Sequence, residues 1–76
     1  MIPKGAIILQ VAAMNKQSDA LEMAGALQKK HYPAFVVPPG ADHYYHVQVG
    51  PYADLKSAEA VRKALENEGF KTIVKR

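Results

Sequence analysis

With 76 residues the chain has room for one domain and a thin core, because a chain this short buries only about 60% of its unfolded surface. Its make-up, 49% hydrophobic and 22% charged with five Gly and five Pro, is ordinary globular and excludes a low-complexity chain. The absence of cysteine excludes a disulfide framework, a thiolate nucleophile and a Cys-based zinc site, and the net charge of +3 is too mild for a protein dominated by nucleic-acid contacts.

The chain opens with "MIPKGAIILQVAAM", whose apolar run from Ala6 to Leu9 is interrupted by Gln10. That run is too short to span a bilayer, and it lacks the h-region and cleavage site of a signal peptide. If the domain works outside the cytoplasm, the chain is therefore expected to be a piece of something longer that supplies the export segment. Ile7 to Ala13 alternates as a strand, with Leu9 and Val11 on one face and Ile8, Gln10 and Ala12 on the other. The polar stretch "NKQSD" follows and offers Asn15, Ser18 and Asp19 as helix starts. From about Ser18 to Lys30, Ala20, Met23, Ala24 and Leu27 fall on one stripe at helical spacing. Pro33 then favours extended backbone, "AFVV" makes a second strand, and "PPGAD" forms the joining loop.

The second half repeats the pattern. A strand from Tyr44 to Gly50 ends at "GP", and Asp54 or Ser57 caps a helix whose buried stripe is Ala58, Val61 and Leu65. Gly69 is placed to stop that helix, and Phe70, Thr72 and Val74 point inward on a last strand, leaving Lys71, Ile73 and Lys75 outward. Glu59 with Lys63 and Arg62 with Glu66 are i,i+4 pairs on the helix's outer face.

Sliding the chain against itself by 38 residues brings Gln10 onto Gln48, Val11 onto Val49, Ala20 onto Ala58, Leu27 onto Leu65 and Tyr32 onto Phe70. Two copies are too few for a solenoid, so the expectation is one pseudo-symmetric domain over 1–76, with halves of about 7–37 and 44–75. The order βαββαβ predicts an α+β, ferredoxin-like fold: a four-stranded antiparallel sheet with both helices on one face. The first and third strands are central, and the other sheet face is open.

On that face the pattern places Ile8, Gln10 and Ala12 from the first strand and Tyr44, His46 and Gln48 from the third, with Phe35 at one edge. Amide side chains both donate and accept hydrogen bonds, so this is a polar track with apolar shoulders, suited to a polyhydroxylated or amide-bearing ligand. One outward Gln on a solvated sheet needs no ligand to explain it; two at matching places beside Phe35 and Tyr44 make a binding face an equal alternative.

Other candidates point to structure. His43 and His46, three apart on a strand, lie on opposite faces and do not share a metal. His31 sits at a helix end, Ser18 and Ser57 at helix starts, and the carboxylates converge on no acid–base pair. No catalytic group, metal or cofactor is expected.

At "YHVQVGPYADLKSAEAVRKALENEGF" the sequence resembles the SPOR domain, the peptidoglycan-binding module of bacterial cell-division and cell-wall proteins. Tyr45, Val47, Gln48, Val49, Gly50, Pro51, Tyr52, Ala58, Leu65, Gly69 and Phe70 carry the likeness. Gln10, Val11, Ala20, Leu27 and Tyr32 fit the weaker first-half pattern, so it runs from about Ala6 to the end. The resemblance implies non-catalytic binding of glycan strands that lack stem peptides (denuded glycans), at the division septum, in the periplasm or cell envelope. It implies that glycan lies on the open face and its bordering loops, with Gln10 and Gln48 carried over directly; Ile8, Phe35, Tyr44 and His46 on the same face complete the expected binding set, and the "PPGADH" loop borders it. The expected partner is peptidoglycan, with no nucleic acid, no direct membrane contact and a monomeric domain.

Two positions depart from the family pattern. Gly-Ser-aromatic after the first-strand Gln is here Ala12, Ala13 and Met14, so a hydroxyl is missing, and a common Arg on the third strand is His46. Three other functions share the topology, one of them an ACT-type regulatory module binding an amino acid, which needs a Gly-rich turn after the first strand that "AAMNKQ" does not supply. An RNA-recognition surface needs stacking aromatics on the central strands, and "HYYHVQVG" holds them at the wrong end. A protein-interaction module could use the open face or an edge strand.

Overall fold

A computed structural model describes residues 6–75. The elements run β1 (Ile7–Met14), α1 (Gln17–Lys29), β2 (Ala34–Val37), β3 (Tyr45–Tyr52), α2 (Leu55–Asn67) and β4 (Ile73–Lys75). The strands form one antiparallel sheet in the order β2-β3-β1-β4, so the βαββαβ expectation and the central placing of the first and third strands hold.

Leu9, Val47 and Val49 alternate onto one face, and Ala20, Ala24 and Leu27 of α1 with Ala58 and Leu65 of α2 close over it. Leu9, Leu27, Leu65, Val47 and Val49 lose essentially all contact with solvent, each burial contributing about 1.5–3 kcal/mol. Small alanines in the helix stripes let both helices sit close to the strands. Met14, Met23, Tyr32, Val36, Val61, Phe70 and Val74 pack around this centre.

The helix ends follow the repeat. Asp54 caps α2, its carboxylate accepting the Ser57 N–H at 2.7 Å. The chain turns out of α2 just past the C-cap Glu68, at Gly69, whose φ of 97° lies in the left-handed region that glycine tolerates, with Gly69 N–H donating to Glu66 and Phe70 N–H to Leu65. His31 takes the equivalent place after α1 at φ 71°, with His31 N–H donating to Gln28 and Tyr32 N–H to Leu27. The start of α1 differs from expectation. Lys16 is the N-cap and makes no side-chain cap bond, while Ser18 lies inside the first turn.

The third strand also runs further than expected, through Gly50 and Pro51 to Tyr52. It can do so because the central pair is bulged twice. Val49 pairs with Leu9 and Tyr52 with Ile7, so β3 carries an extra residue at Gly50–Pro51. Gly50 adopts φ 138°, and a Cβ there would lie 3.2 Å from the Ile7 carbonyl oxygen. In β1 the extra residue is Val11, between Gln10 opposite Gln48 and Ala12 opposite Val47.

The Val11 bulge overturns one expected facing. A one-residue insertion reverses alternation beyond it, so Ala12 joins Val47 on the helix-covered side and Ala13 emerges opposite His46. The inward phase of the last strand holds at Val74, but Phe70 and Thr72 precede β4.

Candidate functional site on the helix-free sheet face

Residues directly opposite in an antiparallel pair project from the same face. The registers therefore assemble one row across all four strands: Phe35 of β2, Gln48 of β3, Gln10 of β1 and Ile73 of β4. A second row holds Val37, His46 and Ala13, and on the other side of the amides Ile8 stands beside Lys75.

Gln48 Nε2 donates to Gln10 Oε1 at 3.3 Å, joining the two halves at their matching residue. Gln10 is buried, with only 9% of its surface exposed, whereas Gln48 is half-buried. An amide carries two donors and two acceptor lone pairs, so this one bond leaves both side chains with capacity for a ligand. Phe35 is half-buried on one flank and Ile73 is 58% exposed on the other. The centre is thus polar and constrained, and its two shoulders are apolar.

Of the six residues read from the sequence, Gln10, Gln48 and Phe35 share the first row and His46 lies in the second. Ile8 is on the face and is buried to the same degree as Gln10, so only a small part of either side chain meets solvent. Tyr44 precedes β3 and is exposed at the margin.

His46 differs most from what the sequence suggests. Its Nε2 lies 2.7 Å from Asp42 Oδ2, and its Nδ1 is buried without a partner. Asp42 Oδ1 accepts the Tyr44 N–H at 3.2 Å. That backbone N–H, with a smaller contribution from His46, holds the Asp42 carboxyl below its ordinary range, so it stands as a carboxylate. The turn between them is tight, with His43 at φ 62° and its N–H donating to the Gly40 carbonyl at 3.2 Å.

A lone Asp after Pro-Pro-Gly reads as turn chemistry, so Asp42 is expected from the sequence only as part of the "PPGADH" loop bordering the open face, with no role of its own. The signal was its spacing, two residues before Tyr44 and four before His46. Among the described residues, no group of His, Cys, Asp and Glu could hold a metal, and no helix is long and apolar enough to cross a membrane.

On the helix side, Met14, Asp19, Glu22, Met23, Ala26 and Phe70 line a shallow cleft of about 330 Å³. Arg62 bonds both Glu59 and Glu66 on α2, and Glu68 accepts from Lys30 and Tyr32.

The sequence matches the SPOR domain family over residues 3–76. The chain belongs to the SPOR domain family. Comparison with curated proteins gives no match. Among solved structures, this SPOR domain is similar to the solution structure of the peptidoglycan-binding domain of the B. subtilis cell wall lytic enzyme CwlC. The two share 22% sequence identity with a TM-score of 0.78, over 99% of this chain and 94% of that one. At that identity the likeness shows the fold.

Proposed function

We propose that this SPOR domain binds peptidoglycan without catalysis, taking glycan strands along its helix-free sheet face and preferring strands stripped of stem peptides at the division septum of the cell envelope. The observation that carries the reading is the cross-sheet row Phe35–Gln48–Gln10–Ile73, two amides between apolar shoulders on a face no helix covers. Membership of the family and the peptidoglycan-binding description of the CwlC domain support it.

In this arrangement Gln10 and Gln48 hydrogen-bond ring hydroxyls and N-acetyl groups. Phe35, Tyr44 and Ile73 cover the apolar faces of the sugars. Ile8 and His46 flank the row on its two sides, and a stem peptide would clash with the shoulders. The central strands present Ile8, Gln10, Ala13, His46 and Gln48 on this face, with no Phe, Tyr or Trp among them of the kind on which an RNA-recognition surface stacks successive bases.

The test is sedimentation with purified sacculi, native against amidase-stripped, beside a Gln10→Ala/Gln48→Ala double variant shown to be folded by circular dichroism. Enrichment on stripped sacculi that is lost in the folded variant is the expected result. Equal and negligible sedimentation with both materials would sink the proposal.

A further inference from the structure

Among the described residues, the Asp42 carboxylate is the charged group fixed against the second row of the helix-free face. Its Oδ2 lies 2.7 Å from Nε2 of His46, whose side chain stands between Val37 and Ala13 on that face. A carboxylate only accepts hydrogen bonds, so Nε2 carries the hydrogen and donates it. Nδ1, the other ring nitrogen, is buried and unpartnered. Neither nitrogen of His46 is therefore placed to meet a ligand.

The carboxylate is placed differently. Each oxygen spends one acceptor position inside the protein, Oδ1 on the Tyr44 N–H and Oδ2 on His46. Two carboxylate oxygens offer about four such positions. The Asp42 side chain is 49% exposed, against 21% for His46, and it adjoins the exposed Tyr44. An acceptor of fixed orientation beside an exposed aromatic ring matches a sugar, which presents hydroxyl donors at its rim and C–H groups on its face. Hydrogen bonds to a charged acceptor are about twice as strong as neutral ones.

We propose that Asp42 is an additional binding residue of this face, its carboxylate accepting hydrogen bonds from ligand hydroxyl or amide N–H groups, and that His46 is a positioning residue that acts through it. This rests on the glycan reading above and deepens it: the polar group at this end of the site is the carboxylate, not the imidazole.

The test is a double-mutant cycle in the whole chain with Asp42→Ala, His46→Ala and both together, and with Asp42→Asn as the milder change. Binding to amidase-stripped sacculi is read by sedimentation, and urea midpoints establish that each variant is folded. Asp42→Ala is expected to weaken binding roughly three- to tenfold, and Asp42→Asn, which keeps one acceptor oxygen, by less. His46→Ala should weaken it comparably, and the double variant should be no worse than Asp42→Ala alone, because both changes remove the same contact. Multiplying losses would show that His46 meets the ligand itself and would overturn the proposal. Wild-type binding by Asp42→Ala or by Asp42→Asn with Asp42→Ala unfolded would overturn it as well. If the unaltered chain does not sediment with stripped sacculi, the glycan reading fails and this proposal fails with it, which separates the two cases.

Discussion

Replacing Gly50 with alanine tests the bulge that places the glutamine row. Gly50 sits at φ 138°, where an L-residue is strained by about 1–3 kcal/mol. Its new Cβ would approach the Ile7 carbonyl oxygen at 3.2 Å, Ile8 Cα at 3.5 Å and Tyr52 Cδ2 at 3.5 Å. Two of those neighbours are backbone of the central strand, which cannot swing aside as a side chain can, so relief means shifting β1 against β3. The Gly50 N–H also donates to the Pro33 carbonyl at 3.1 Å, and a rotation that relaxed φ would disturb that bond. Together these set an expected loss of about 2–4 kcal/mol. A domain of this size has roughly 4–11 kcal/mol in total, so the variant loses a large part of its stability. The internal control is Gly25→Ala in α1, where a new Cβ meets nothing within 4 Å. There alanine should stabilise by about 0.5–1 kcal/mol through helix propensity. Urea unfolding of both variants, read by far-ultraviolet circular dichroism, gives the two free energies. Opposite signs are expected. A Gly50→Ala loss below about 1 kcal/mol would refute the account of the bulge.

Leu65→Ala should cost about 2–5 kcal/mol in the same urea assay, since Leu65 is fully buried between α2 and the central strands. The carboxyls of Asp54, Asp42, Glu59 and Glu68 are all held below their ordinary values, Asp54 chiefly by the Ser57 N–H and Glu68 chiefly by Lys30. A depressed native value contributes stability that is complete above the unfolded range near pH 4 and is lost as pH falls through the native value. Urea midpoints should accordingly fall below about pH 5, and Asp54→Asn, which keeps a capping oxygen but does not titrate, should lessen that fall; an unchanged acid profile would count against the cap. Ala13→Ser restores a hydroxyl at an exposed position opposite His46. It should tighten binding to stripped sacculi about two- to fivefold, with a stability change within about 0.5 kcal/mol; weaker binding by the folded variant would argue that ligand does not pass over Ala13.

The parts of this fold that were legible in the sequence are those written in local pattern. Period-2 alternation marked Leu9, Val47 and Val49 as inward, helical spacing marked the alanine stripes, and Asp54 and Gly69 stood where a cap and a stop belong. The 38-residue repeat brought Gln10 and Gln48 to matching places before any register was known. What escaped was decided between strands. Nothing at Val11 distinguishes a bulged valine from a paired one, because the insertion exists only relative to Gln48 and Val47 on β3. The misplacing of Ala12 followed from that alone. At Gly50–Pro51 the residues did announce a special backbone, but "GP" reads equally as the end of a strand and as a bulge within one. The Asp42–His46 bond was hidden for another reason: a turn at Gly40–His43 folds the loop back, and only then do the two side chains meet.

The repeat also explains why the glutamines are central. Contact between residues 38 apart occurs on the helix-free face, where Gln10 meets Gln48, and again where Lys30 meets Glu68 beyond the helix ends. Equivalent residues that touch each other must lie beside the pseudo-two-fold axis, so the axis runs through the sheet between the two amides. Phe35 and Ile73 are equivalent in the same way, and they form the shoulders of the row. That row consequently runs apolar, amide, amide, apolar from either end. The symmetry breaks one step away, where the partner of His46 in the repeat is Ile8. One end of the face thus carries His46 with the Asp42 carboxylate and Tyr44, and the other a buried isoleucine beside Lys75. A sugar chain has two distinct ends, whereas the row repeats the same residue classes in both directions. On the proposed reading, the direction in which a strand lies is therefore set by the Asp42 end of the face, and its hold at the centre by the two glutamines.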